Sequence, residues 1–257
     1  MSNEPPTDES QSQPFFKSPK DWSRIKIRVL DKYLQPFCYK LGSTYHDVFL
    51  VDGFAGAGRY ETGQDGSPLV GAKWALRMRD EGRPFHLRCI NVEADELIHR
   101  QLARNLKPYA DSGLVKTYKG RFEDHLRGIL AEVGDSPTLF FIDPFGVEHI
   151  DQDSLAPLRL RTAKTELLLR LDTPYILRML GQDKALRSDS ESVRRAAQTI
   201  LDKVSSIFGA DKSAWSEELQ DRWQRQAATA GGTQKAKHAA ILGMYEESLK
   251  RAFAYVI

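Results

Sequence analysis

Hydrophobic and polar positions first mark a helix, and then a repeating alternation of strands and helices. In "DWSRIKIRVLDKYLQPFCYKL" the apolar residues Trp22, Ile25, Val29, Tyr33 and Phe37 recur at helical spacing. They define one expected buried face, with Pro36 expected to kink or interrupt the helix. Gly42 and "STYHD" break the pattern. "VFLV" (48–51) is a continuous apolar run of the kind that suits a strand covered on both faces. Ser67 followed by Pro68 reads as N-cap and first helical residue of a helix reaching about Arg79. The alternation then repeats. "HLRCINV" (86–92), "LVKTYK" (114–119) and "PTLFFI" (137–142) read as strands. "ADELIHRQLARNLKPYA" and "EDHLRGILAEV" read as helices, the former with Leu97, Leu102 and Leu106 on its apolar face. "TELLLRL" (165–171) is a fifth strand. Such alternation implies an α/β fold with a mainly parallel sheet and right-handed crossovers.

Beyond Pro174 the character changes. Residues 175–254 read as helical almost throughout, broken softly at "ATAGGTQKAK", and the last helix carries Ile241, Tyr245 and Leu249. The expected organisation is a disordered, proline-bearing tail over 1–19, a sheet domain over 20–174 and a helical region over 175–257 packed on, or inserted in, the same domain.

Composition bounds the picture without deciding it. The 257 residues carry a formal net charge of +2, which argues neither for nor against a nucleic-acid partner. Cys38 and Cys89 sit in apolar surroundings with no ligand spacing, and read as reduced core thiols of a cytoplasmic protein. The N-terminus has neither a basic start nor an apolar core, so it is not a signal peptide. No apolar run approaches the roughly 18 residues of a membrane span. The six histidines show no ligand spacing, and no metal is expected.

The chemistry gathers at strand ends, where open α/β sheets bind ligands. "VDGFAGAGRY" (51–60) places three glycines after the first strand. A P-loop needs a Lys-Ser or Lys-Thr pair, which is absent. A dinucleotide fingerprint needs a third glycine opening a helix; position 61 is Glu, and the helix starts only at Ser67. The stretch Asp52, Gly53, Phe54, Ala55, Gly56, Ala57, Gly58 has the form D-x-F-A-G-x-G. It resembles the first motif of class I methyltransferases, particularly the nucleic-acid branch. S-adenosylmethionine has no phosphates and so needs no helix dipole. Its methionine end needs backbone amides and close approach, which Gly56 and Gly58 permit. Asp52 can offset its cationic groups. The competing reading is a tight turn without a ligand.

Glu93, ending the second strand, is suited to accept from both ribose hydroxyls, or else to start a helix. It lies farther from Asp52 than the roughly 20 residues of a compact unit. In the methyltransferase fold that the glycine motif resembles, the residues after the third strand hold the adenine ring, which implies Phe122 as an apolar face and Glu123 or Asp124 as acceptor from its amino group; helix capping explains the two acids equally well. After the fourth strand, Asp143, Pro144 and Phe145 stand where amino-methyltransferases place D-P-P-Y, with the acid accepting from a substrate amine and the aromatic stacking on the base. The aromatic is shifted here, and Gly146 follows it. Arg159, Arg161, Lys164 and Arg170, with Trp215 and Trp223, can form a nucleic-acid surface. Solvated charge and core tryptophans are the preferred explanation.

Taken together, "DGFAGAGRYETGQDGSPLVGA", "FFIDPFG", "YLQPF", "GRFEDHL" and "KTELLL" resemble the three-Cys-motif partner protein family, from about residue 20 to 255. The resemblance implies a bacterial protein with a Rossmann-like class I methyltransferase fold. It also implies a companion protein with a three-cysteine motif, an iron–sulfur radical enzyme being the type expected. Asp52, Gly56, Gly58, Glu93 and Asp143 carry over as matching positions, with no established catalytic residue. A methyltransferase sheet has seven strands, and five are evident. Ending at "AYVI" leaves an uncovered sheet edge, so either the chain is truncated or a partner completes it. Two functions follow as expectations: a methyltransferase acting on a nitrogen of RNA or DNA, and a non-catalytic methyltransferase-like module that serves the companion.

Overall fold

The protein is described from a computed structural model. The structure describes residues 21–144, 146–147, 150–227, 233–251 and 253. The expected tail, the side chain of Trp22, Phe145, part of the break before the last helix and the "AYVI" end lie outside the described residues. The chain forms two compact units. One runs to Ile142 and takes back Thr162–Leu168. The other comprises Asp143–Arg161 and the chain from Leu169 onward.

The first unit is built on a sheet of order β3-β2-β1-β4-β5. Its strands are β1 (Asp47–Asp52), β2 (His86–Glu93), β3 (Val115–Lys119), β4 (Thr138–Ile142) and β5 (Thr165–Leu169). β1 runs parallel to β2 and to β4, and β2 parallel to β3. Strand order therefore reverses at β1, which has β2 on one side and β4 on the other. This doubly wound order is Rossmann-like, and the reversal lies at the carboxyl end of β1, the place where open α/β sheets bind ligands. The apolar runs become strands because both faces are covered: Val48, Leu50, Val51, Leu87, Val92 and Phe140 are fully buried.

Helices α1 (Asp21–Gly42), α2 (Ser67–Asp80), α3 (Glu96–Ala110) and α4 (Phe122–Val133) complete this unit. α1 runs through Pro36 without interruption, and of the described residues in the expected apolar set it buries Phe37 alone. Leu30, Leu34, Phe37 and Cys38 are buried, whereas Ile25, Val29 and Tyr33 are 63, 46 and 41% exposed. Both stripes have helical spacing. The buried one carries two leucines on adjoining turns, each worth about 1.5–3 kcal/mol when buried. Those contacts flank Pro36 and hold the helix across it. α1 ends where Gly42 meets Phe85: a Cβ at Gly42 would stand 2.3 Å from that ring.

The N-cap of α2 is Gly66, not Ser67, and no side chain caps it; Ser67 is then the first helical residue and Pro68 the second, one place later than expected. α2 approaches the sheet through small residues. A Cβ at Gly71 would lie 2.6 Å from Leu50 Cδ2 and 3.2 Å from Cys89 Sγ. α3 buries Leu102 and Leu106 but leaves Leu97 67% exposed. Leu97 sits in its first turn, just after the N-cap Asp95.

The second unit is helical. It contains α5 (Gln152–Arg159), which the sequence pattern did not reveal, α6 (Thr173–Leu180), a 3-10 segment (Gly181–Arg187), α7 (Glu191–Phe208), α8 (Lys212–Ala227) and α9 (Thr233–Lys250). α7 buries Ala197, Leu201, Val204, Ile207 and Phe208. Trp215 of α8 is buried, and its Nε1 donates to Ser205 Oγ at 2.8 Å. Ile241 and Tyr245 of α9 are buried, and the Tyr245 hydroxyl donates to the Ile150 carbonyl at 2.7 Å.

Candidate cofactor site

The glycine segment leaves the carboxyl end of β1, at the reversal of strand order. Four successive amides are spent holding its path. Gly53 N–H donates to the Phe141 carbonyl (3.1 Å) and Ala55 N–H to the Val92 carbonyl (2.9 Å). Phe54 N–H donates to Asp52 Oδ1 (3.1 Å), and Gly56 N–H to Glu93 Oε2 (2.8 Å). The neighbouring strands β2 and β4 thus clamp the loop from both sides. Gly56 (φ +61°) and Gly58 (φ +77°) lie in the left-handed region, where only glycine is free of a Cβ penalty. Beyond them Gly66 N–H donates to the Gly58 carbonyl at 2.8 Å, closing the excursion 59–65 before α2 starts.

The expected residues Asp52, Gly53, Phe54, Gly56, Gly58 and Glu93 therefore meet at one sheet edge. Asp52 is fully buried. Glu93 bridges two loops: Oε2 accepts from Gly56 and Oε1 from Asp95 N–H at 2.8 Å. Burial pushes the Glu93 carboxyl above its ordinary pKa, and the two amide bonds pull against that shift. Phe122 is buried beneath the loop: a Cβ at Gly53 would come 3.1 Å from its ring and 3.2 Å from Ile142 Cδ1. Phe54 tilts against it, with ring centroids 6.1 Å apart. Glu123 and Asp124 are exposed in the first turn of α4, and Glu123 accepts from Arg121 Nε at 2.7 Å. That placement suits the positive end of the helix dipole.

Two supporting residues escaped the sequence reading. Asn91, fully buried in β2, sits in register with Asp52 and donates to the Lys116 carbonyl at 3.3 Å. An asparagine inside an apolar strand was its signal. Asn105 of α3 donates to the Ala57 carbonyl at 2.8 Å, a link that no local pattern announces.

Asp143 and Pro144 belong to the second unit. Arg170 dominates their surroundings: its Nη1 lies 3.6 Å from Asp143 Oδ1 and donates to the Pro144 carbonyl at 3.4 Å. Its Nη2 donates to Asp172 Oδ2 at 2.9 Å, while Asp172 Oδ1 caps α6 through Tyr175 N–H. Gly146 has φ +77°, so the turn itself requires glycine there. Arg170, weighed as part of a basic surface with solvated charge the preferred explanation, is engaged with acids of its own unit, and Trp223 lies beneath Lys237 Nζ, 4.2 Å from the ring centroid.

Among the described residues no three His, Cys, Asp or Glu side chains converge as metal ligands, and no helix is long and apolar enough to cross a membrane. No family model and no curated protein matches the chain. Among solved structures it is similar to "Putative methyltransferase yhhF from Escherichia coli", with 14% identity and a TM-score of 0.30. The match covers 54% of this chain and spans 61% of that one.

Proposed function

We propose that the chain binds S-adenosylmethionine at the glycine loop and transfers its methyl group to a nitrogen of a nucleic acid. The observation that carries this reading is the clamped loop at the strand reversal. Its amides are held by the carboxylates of Asp52, through Phe54 N–H, and Glu93, through Gly56 N–H, and Gly56 and Gly58 are in left-handed conformation. The residues fit the group. Each Glu93 oxygen accepts one amide bond and keeps acceptor capacity for a ribose hydroxyl. Gly56 and Gly58 hold the left-handed turn that brings the loop backbone close to a ligand, and Asp52 supplies negative charge for cationic groups. The bound cofactor would supply an activated methyl on a sulfonium. The chain's part is to hold a target lone pair in line with it, so positioning is most of the catalysis. Asp143 accepts from the target amine in this reading, with Pro144 shaping the turn and Phe145 stacking on the base.

Resemblance to the three-Cys-motif partner family adds a companion protein of the iron–sulfur radical type and a bacterial, cytoplasmic setting. One observation favours the second reading, a non-catalytic module serving that companion: the Asp143 carboxylate faces the Arg170 guanidinium rather than open space. Calorimetric titration with S-adenosylmethionine tests the cofactor assignment. Labelled methyl transfer into RNA, DNA and the companion, with the companion present, separates the two readings. Binding without transfer to any of them selects the module.

A further inference from the structure

A groove of about 500 Å³ opens between α1 and α2, and its wall continues into the excursion that follows the glycine loop. Arg24 and Arg28 line it from α1, Lys73, Trp74 and Arg77 from α2, and Asp65 from the excursion. Each helix contributes cations at i,i+4 spacing, with Cβ atoms about 5–6 Å apart. The acids in the groove are already engaged. Asp31 Oδ1 accepts from Trp74 Nε1 at 2.8 Å, which fixes the indole, and Asp65 pairs with Lys73 and with Arg59. Arg77 pairs with Glu81 and rests 4.9 Å from the Trp74 ring centroid. Arg24 and Arg28 are exposed and have neither a hydrogen-bond nor an ion-pair partner among the described residues. Guanidinium groups left free beside a fixed, partly exposed indole suit phosphate oxygens and an unstacked base.

We infer that this groove binds single-stranded nucleic acid, with Arg24 and Arg28 on backbone phosphates and Trp74 beside a base. The inference rests on the reading of the chain as acting on a nucleic acid, and names where on the first unit the strand is held. The basic and aromatic residues after the fourth strand, for which solvated charge and core packing were the preferred explanation, do not compete with it. There Arg170 is bound to acids and Trp215 is buried.

The test uses the full chain and a fluorescein-labelled single-stranded RNA of mixed sequence, followed by anisotropy over a salt series with no methyl donor present. Arg24→Glu combined with Arg28→Glu should weaken binding by about tenfold or more and flatten the log–log salt slope by roughly 1.4, as for two lost single-strand phosphate contacts. Arg104→Glu combined with Arg127→Glu makes the same charge change on exposed positions of α3 and α4 and should leave affinity close to wild type. Trp74→Leu, which keeps apolar bulk, should weaken RNA binding without changing the salt slope. Equal weakening by both charge pairs would overturn the groove in favour of diffuse charge. Polyglutamate binding as tightly as RNA would overturn the ligand class, and no RNA binding at low salt would overturn both. Because no methyl donor enters the assay, loss of S-adenosylmethionine binding would sink the cofactor reading and leave the groove standing.

Discussion

At the end of β1 the carboxylates of Asp52 and Glu93 accept from backbone amides of the loop they organise, whereas after β4 the carboxylate of Asp143 faces the side chain of Arg170. A backbone amide cannot swing away, so the first corner is fixed before any ligand arrives. Such pre-organisation lowers the ordering cost of binding. A guanidinium on a flexible stem can leave, so the second corner can exchange Arg170 for another donor at the cost of the pair. The contrast separates a cradle built into the chain path from an acid whose partner decides its use. It also explains why the first corner supports a specific cofactor proposal while the second supports two readings.

The comparison breaks most sharply at Gly56. Gly56→Val should abolish S-adenosylmethionine binding, because a β-branched residue at φ +61° is strained and adds bulk where the methionine end needs room. Calorimetry on variant protein with a wild-type circular dichroism spectrum checks this; unchanged affinity would remove the cofactor assignment. Asp143→Ala comes next. For a methyltransferase it should eliminate turnover and leave cofactor affinity near wild type, since the cradle does not include Asp143. Parallel titration and label-transfer assays show whether the two properties part. If they fall together, the corners are not independent.

Glu93→Ala should weaken cofactor binding by about 1.5–3 kcal/mol, the range of a hydrogen bond to a charged group. It also strips Gly56 N–H and Asp95 N–H of their acceptor. An unaltered dissociation constant would move the ribose contact, with Asp95 the first alternative.

The smallest effect is a pH limb in the first unit. Burial, then the hydrogen bond to Glu166 (2.6 Å) and its charge, push the Tyr33 hydroxyl up to about 12. The folded state thus holds this proton more tightly than the unfolded chain, whose tyrosine titrates near 10. The stability it contributes is complete below pH 10 and falls as pH rises toward 12. Tyr118, bonded to Glu132, is likewise raised to about 12 and shares the window. Tyr33→Phe should flatten the alkaline loss of stability between pH 10 and 12 only in part. Urea midpoints measured across that range test it, and identical slopes for variant and wild type would show that the bond to Glu166 carries no linkage.

Much of the first unit was legible in the chain. A run such as "PTLFFI" between turn residues becomes a buried strand wherever two layers cover it, and β1 to β4 lie within a residue or so of their expected limits. The glycine corner was legible for the same reason. An acid and three glycines after an apolar run demand a turn, and glycine at 56 and 58 permits the left-handed φ found there. Glu93 was legible as a strand-end acid; its bond to Gly56 was not, because the two lie 37 positions apart.

Local periodicity records which residues can share a face, and not which neighbour will cover it. α1 offered two apolar stripes, and the packed neighbours chose Leu30 and Leu34 over Ile25 and Val29. The same choice turned Arg24 and Arg28 toward α2 and left the groove between them. Asn105 at Ala57, Trp74 at Asp31 and Arg170 at Pro144 join positions 26 to 48 residues apart. By itself the sequence determined the order of strands and helices as far as β4, the glycine corner and the acids at the strand ends, because these follow from residue type and short-range spacing. Only the tertiary structure decided which helix face is buried, which carboxylates take amides and which a guanidinium, and which arginines stay free, because burial and pairing depend on elements distant in the chain.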